Sequence, residues 1–241
     1  MQIIPVKLKK EIDSSDDIAE MIISSSDLCD GDVLIIAQKI VSKQEGRVVD
    51  LSTVKPSLLS EGISSQYGKD PRIVELILSE SKRIVRMSNG ILIVETNHGF
   101  ICANAGIDES NVQNGYATLL PIDSDFSAKK IREKIFNLSK KNVAVVISDT
   151  FGRPFRMGQT NHAIGTSGIN PILDYEGSLD NFNKILRVTA IAIADELSSA
   201  AELVMGKTLN CPVAIARDYV FDSENHLISD LIRPENEDLF R

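Results

Sequence analysis

The chain has 241 residues, 43% of them apolar and 25% charged, with 34 acidic against 26 basic side chains for a net charge of −8. Such a chain buries roughly 70–75% of its unfolded surface on folding, so it needs neither disulfides nor a structural metal to hold a core. The acidic balance argues against a general nucleic-acid binder or a membrane-surface protein, whose long-range fields are normally positive.

In chain order, Ser15-Asp16-Asp17 offers caps for a helix carrying Ile18, Met21 and Ile22 on one face and ending near Ser24-Ser25-Ser26. Asp30-Gly31-Asp32 turns into Val33-Leu34-Ile35-Ile36-Ala37, a buried strand that delivers Gln38, Lys39 and Lys43 at its far end. Asp70-Pro71 opens a helix with Ile73, Leu76 and Ile77 inside, and Ile91 to Glu95 forms a strand. Ser127 is expected to cap an amphipathic helix through Ile131, Ile135 and Leu138, followed by a strand from Val143 to Ile147. From about Asn183 to Met205 the composition favours one long buried helix stopped by Gly206, and a short strand from Pro212 to Ala216 closes the series. The irregular alternation predicts a mixed α/β (α+β) fold. With no linker or repeat, residues 1–241 are expected to form one domain, and any two lobes would interleave by sharing chain segments.

Cys29, Cys102 and Cys211 have no CxxC spacing, which excludes a zinc ribbon and suits a reducing cytoplasm. No signal peptide or membrane span is expected, because no basic-then-apolar leader and no run of 18 apolar residues occurs. There is neither a GxxxxGK[ST] loop nor a GxGxxG turn after a strand, so a bound nucleotide would use neither a P-loop nor a Rossmann site.

The segment Ser148-Asp149-Thr150-Phe151-Gly152-Arg153-Pro154-Phe155-Arg156 is the most informative. A carboxylate at the end of a buried strand, followed at once by a hydroxyl, can hold Mg²⁺ or Mn²⁺ beside a phosphate, and two guanidinium forks suit phosphate or carboxylate. The plainer alternative is a turn cap with surface arginines. Asn104-Ala105-Gly106-Ile107-Asp108 allows close backbone approach and adds a second carboxylate, although an ordinary polar loop would look the same. Were Asp108 to meet Asp149, the two like charges would need a cation between them. Lys39 and Lys43 suit phosphate, or are simply solvated. Asp195, Glu196 and Glu202 are expected to form a solvated or interface-paired acidic face. His98, His162 and His226 lack ligand spacing and default to structural or surface roles. No Gly-x-Ser-x-Gly or Cys/His arrangement signals covalent catalysis.

In order, GDVLIIAQKIVSKQEGRVV, ICANAGIDESNV, LLPIDSDFSA, VAVVISDTFGRPFRMGQTNHAIG, VTAIAIADELSSAAELVMGK and LIRPENEDLFR resemble the family of γ-glutamyl ligases that build the glutamate tail of the deazaflavin coenzyme F420. The resemblance runs from about Pro5 to the C-terminus. It implies a mixed α/β fold of its own type and a homodimer. The implied activity is a GTP-dependent ligase that joins L-glutamate to F420-0 through an acyl phosphate and then adds a γ-linked glutamate. By motif match, Asp108 and Asp149 would hold one Mg²⁺ or Mn²⁺ and Thr150 would help hold a second, with K⁺ as a further candidate ion. Gln38, Lys39 and Lys43 fall on the nucleotide-contacting segment, Asn111 on another GTP contact, and Met205, Gly206, Lys207 and Thr208 on a loop that closes over the nucleotide. Arg153 and Arg156 match DTxGRxxR and would orient an anionic group.

Three departures stand out. Leu8-Lys9-Lys10 replaces a frequent Gly-Leu-Pro, so Lys9, Lys10, Glu11 and Ile12 carry over only as backbone contacts. Lys207 stands where the family can place an acidic or amide metal ligand, and an ammonium cannot coordinate, so the second ion site is expected to be weaker or completed by water. Arg217-Asp218 replaces an Arg-Gly. Competing readings are a nucleotide-dependent ligase acting on another carboxylate and a non-catalytic nucleotide-binding regulator.

Overall fold

Five strands with apolar centres assemble the main sheet in the computed structural model, which describes residues 1–223 and 226–238; the last residues of the terminal string, 239–241, lie outside them. The chain runs β1 (Gln2–Val6), α1 (Ile18–Ser25), β2 (Val33–Ala37), α2 (Gln38–Gln44), β3 (Val48–Asp50), α3 (Leu58–Tyr67), α4 (Pro71–Ser79), β4 (Ser81–Ser88), β5 (Ile91–Thr96) and β6 (Ile101–Ala103). It continues through β7 (Tyr116–Thr118), α5 (Ser124–Ser139), β8 (Ala144–Phe151), β9 (Thr160–Ser167), β10 (Leu173–Asp174), β11 (Ala190–Ile191), α6 (Ile193–Met205) and β12 (Val213–Arg217). The main sheet has the order β1-β12-β2-β8-β9. Only β2 and β8 are parallel, and the other pairs are antiparallel. The fold is therefore mixed α/β, without the all-parallel order of a doubly wound sheet.

The unbroken apolar run of β2 follows from burial on both faces. Leu34 and Ile36 pack with Ile18 and Ile22 of α1 and Ile131 and Ile135 of α5. Val33 and Ile35 face α6 through Ala194, Leu197, Ala201 and Met205, where Ala144, Ala163, Ala214 and Ala216 let the helix sit close. The same alternation along β8 sends Val145 and Ile147 to the first face and Val146 to the second. By period, Asp149 points to the α1/α5 side and Thr150 to the α6 side. Between α2 and α5 the chain leaves this sheet and builds another core, with Ile73, Val74 and Ile77 of α4 against Leu92, Val94, Ala117 and Leu119. At the base of the main sheet, the buried Asp32 accepts two hydrogen bonds from Arg217, at 2.9 and 2.7 Å, locking the start of β2 to the end of β12.

Several expected elements differ in extent. Helix α5 begins at Ser124 with Asp123 as its cap, accepting from the Phe126 N–H at 2.9 Å, so Ser127 lies inside the helix and binds the Asp123 carbonyl instead. Strand β8 runs on to Phe151, held by pairing with β9, so Asp149 and Thr150 are within the ladder. The long helix expected from Asn183 to Met205 is shorter, 13 residues from Ile193. Asp180 accepts from the N–H groups of Phe182 and Lys184, making a tight turn with Asn183 at φ +60°. Residues 173–191 then form a hairpin closed by β10 and β11, and the helix starts only at Ile193. The β-branched Val188 and Ile191 favour this extended path. All three cysteines are free, and no helix among the described residues is long and apolar enough to cross a membrane.

Candidate active site

The C-terminal ends of β2 and β8 lie side by side because the two strands run parallel, and the next residues of each supply charge. Helix α2 starts directly after β2 and holds Lys39 so that its Nζ donates to Asp108 Oδ2 at 2.7 Å and to Ser110 Oγ at 2.8 Å. Asp108 comes from the second core. It is tied to β7 by reciprocal backbone bonds with Thr118, at 3.1 and 2.8 Å. A left-handed turn aims it: Asn104 and Ala105 have φ +54° and +56°, a conformation that costs a non-glycine residue about 1–2 kcal/mol. Lys69 and the Leu92 N–H clasp Asn104 Oδ1 at 3.0 and 3.3 Å and hold the turn.

Burial works to raise Asp108, but the Lys39 hydrogen bond and the Ser110 donors outweigh it and hold this carboxyl below the usual range. Asp149 behaves oppositely. Burial, with the nearby charge of Asp108 added, pushes it up to about 6, against the lowering influence of the Thr150 N–H, Lys39 and Lys207. The two carboxylates are thus close enough to feel each other.

On the other side of β8 the side chains close a ring. Lys207 Nζ donates to Thr150 Oγ1 at 2.6 Å, Thr150 donates to Asn161 Oδ1 at 2.7 Å, Asn161 Nδ2 donates to Glu202 Oε2 at 3.0 Å, and Glu202 Oε1 returns to Lys207 at 3.1 Å. Each donor has an acceptor, and Asn161 is buried. Glu202 is therefore not on a solvated acidic face. Asp195 is engaged too, accepting from the Ala163 N–H at 2.8 Å and lying 3.4 Å from His162 Nδ1. Sequence reasoning missed Asn161 and Glu202 as members of this cluster. The available signal was the helical seven-residue spacing of Asp195 and Glu202 just before Met205-Gly206-Lys207.

The other expected residues are placed unevenly. Lys43 pairs with Glu11 at 2.5 Å, bringing the segment from Lys9 to Ile12 beside α2; Lys10 pairs with Asp16, and the Ile12 side chain is buried. Gln38 is turned inward, donating to Ser42 Oγ and the Leu119 carbonyl. The Met205 side chain is core. Asn111 and Thr208 are exposed. Arg153 donates to the Met157 carbonyl at 3.3 Å while its Nε is buried without a partner, and Arg156 is exposed on the same β8–β9 loop.

The donor set suits a hard divalent cation. The carboxylates of Asp108 and Asp149, all oxygen, match the way Mg²⁺ is usually held, with the remaining positions left to water and phosphate, while the Thr150 hydroxyl on the other side of β8 is engaged by Lys207. Among the described residues no three His, Cys, Asp or Glu side chains gather, so protein alone does not complete a cage. Cys102 offers no thiolate here, because burial, with Asp149 adding to it, pushes its thiol up to about 12.

Residues 7–218 match the family described as F420-0:γ-glutamyl ligase. The chain is similar to the coenzyme F420:L-glutamate ligase of Methanothermobacter thermautotrophicus, 46% identical over 241 residues that cover 95% of this chain and 94% of that one. It is likewise similar to the coenzyme F420:L-glutamate ligases of Methanocaldococcus jannaschii, 46% identical over 88% of this chain and 85% of that one, and Methanopyrus kandleri, 41% identical over 100% and 98%. The chain belongs to the F420-0:γ-glutamyl ligase family and is a ligase that forms carbon–nitrogen bonds.

Proposed function

We propose that this protein uses GTP to join L-glutamate to the free carboxylate of F420-0 in coenzyme F420 biosynthesis, and then adds a second glutamate through a γ-linkage. The observation that carries the reading is the pairing of Asp108 with Lys39 and of Thr150 with Lys207 on either side of the buried Asp149 at the ends of β2 and β8. Its support is the family membership and the activity for which the similar proteins are named.

The chemistry needs no side-chain nucleophile. An acceptor carboxylate oxygen attacks the γ-phosphorus of GTP, the bond to GDP breaks, and an acyl phosphate forms. The glutamate amine then attacks the acyl carbon, the C–O bond to phosphate breaks, and the amine proton leaves with solvent or phosphate. Positioning and charge neutralisation do the catalysis in such a transfer. Lys39 and Lys43, on one face of α2 four residues apart, would draw in the triphosphate, and Arg153 and Arg156 would orient the anionic acceptor. A Mg²⁺ or Mn²⁺ ion held by Asp108 and Asp149 would supply neutralisation of the transferring phosphoryl charge.

Mass spectrometry of F420-0 incubated with the protein, L-glutamate, GTP and Mn²⁺ or Mg²⁺ tests this. The expected result is gain of one and then two glutamyl units, lost when GTP or metal is omitted. No gain by a folded, GTP-binding protein would sink the reading and turn attention to another acceptor or to a regulatory role. The same assay with Arg153→Ala decides the arginine's part, since unchanged rate and affinity would remove it from the site.

A homodimer belongs to the same proposal. The 173–191 hairpin exposes Phe182 and Val188 at 83% and 91%, and also the bridged pair Leu179 and Ile185, and exposed apolar side chains gathered on one hairpin suit an association surface. Sedimentation at micromolar concentration should give a dimer that Val188→Asp weakens at least tenfold; a monomeric wild type would exclude it.

A further inference from the structure

The oxygens of Thr150 and Glu202 meet an ammonium of the chain itself. Thr150 Oγ1 and Glu202 Oε1 both contact the Lys207 ammonium, at 2.6 and 3.1 Å, and Asn161 links the two side chains from the far side, accepting from Thr150 Oγ1 and donating to the other Glu202 oxygen, Oε2. Hydroxyl, carboxylate and amide oxygens are the ligand types a hard cation takes. The positively charged Lys207 nitrogen satisfies lone pairs of the hydroxyl and the carboxylate in the same way.

The lysine is aimed by its backbone. Helix α6 ends at Gly206, whose φ +58° and ψ 174° fall in a region that essentially only glycine occupies. A helix continuing through residue 206 would carry Lys207 onward along the α6 axis. The break turns the chain back over β8, where the tethered ammonium meets Thr150. Tethering also keeps its local concentration high without a dissolved ion.

We propose that Lys207 is a built-in occupant of the cation position at Thr150 and Glu202, so that the chain takes one divalent ion per subunit, at Asp108 and Asp149, and fills the second position with its own ammonium. The inference rests on the metal-assisted reading of the Asp108–Asp149 pair for the first ion only. At the second position the residues do not fit a metal. Thr150 keeps a role in charge neutralisation, but through a hydrogen bond from Lys207 and not through coordination.

The test counts ions, independently of catalysis. The protein is titrated with Mn²⁺ alone, free Mn²⁺ being followed by electron paramagnetic resonance, for the wild type, Lys207→Gln and Lys207→Arg, each first checked for an unchanged melting temperature. Lys207→Gln removes the charge and offers an amide oxygen, so the number of bound Mn²⁺ should rise by one per chain. Lys207→Arg keeps the charge and should leave the number unchanged. A count that does not change in Lys207→Gln, or one that rises in both variants, overturns the proposal. Asp149→Asn in the wild-type background tests the other position: if bound Mn²⁺ is unaffected there, the Asp108–Asp149 reading fails, and that failure is separate from the increment caused by residue 207.

Discussion

Asp149→Asn should abolish glutamyl transfer, lowering the rate by at least about 10²–10³-fold, the usual loss when one preorganised charge partner of a transition state is removed. The carboxylate sits inside the β8–β9 ladder opposite His162, so the isosteric amide keeps shape and register. It also removes a desolvated charge that faces Asp108. The melting temperature should therefore stay level or rise slightly while activity and Mn²⁺ binding fall together. That split separates a role in the chemistry from one in folding. Paired measurement of product formation and thermal melting checks it, and a variant keeping more than about a tenth of the wild-type rate would take Asp149 out of the mechanism.

The largest stability effect should come from Gly165→Ala. A Cβ at this position of β9 would lie 2.4 Å from the Ser124 carbonyl carbon and 2.5 Å from its oxygen, and these are backbone atoms of the first residue of α5 that cannot rotate away. Helix α5 cannot lift freely either. Asp125 holds the Thr166 N–H at 2.7 Å and the Ile228 N–H at 3.1 Å, while Ile131 and Ile135 are buried against the sheet. The cost should be about 3 kcal/mol, the upper end for overpacking, or a fall of roughly 6–12 °C in melting temperature for a chain of this size. Gly165 pairs with Ile147 and sits next to the bulge at Ile164, after which Ser148 pairs with Ala163, so part of the strain reaches the strand that carries Asp149. Melting within about 1 °C of wild type would show that helix and strand separate more easily than their packing indicates.

Local chemistry was legible wherever it acts over a few residues. Asp17 and Asp70 cap α1 and α4 as their positions implied, because a cap needs only the next turn of backbone. The continuous apolar run of β2 announced a strand buried on both faces. Glycine at 206 announced the end of α6. The errors fell where tertiary partners decide. Residues 183–192 have helix-favouring composition, yet the Asp180 turn and the pairing of Leu173 with Ile191 commit them to a hairpin. Propensity is a weak prior beside a closed turn. The start of α5 moved because Asp123, not Ser127, meets free N–H groups.

What the sequence determined by itself was therefore a list of elements and a list of reactive groups: the Asp149-Thr150 pair, Lys39 and Lys43 after β2, Asp108 in a tight loop, and a family resemblance spread over most of the chain. Only the tertiary structure could decide which of these groups meet. Asp108 reaches Lys39 across 69 residues, and Lys207 reaches Thr150 across 57. Contacts so far apart in the chain depend on sheet order and helix placement, which no local pattern encodes. Strand alternation adds the last distinction: neighbouring Asp149 and Thr150 point to opposite sides of one sheet, so one joins a carboxylate pair and the other a hydrogen-bonded ring closed by a lysine.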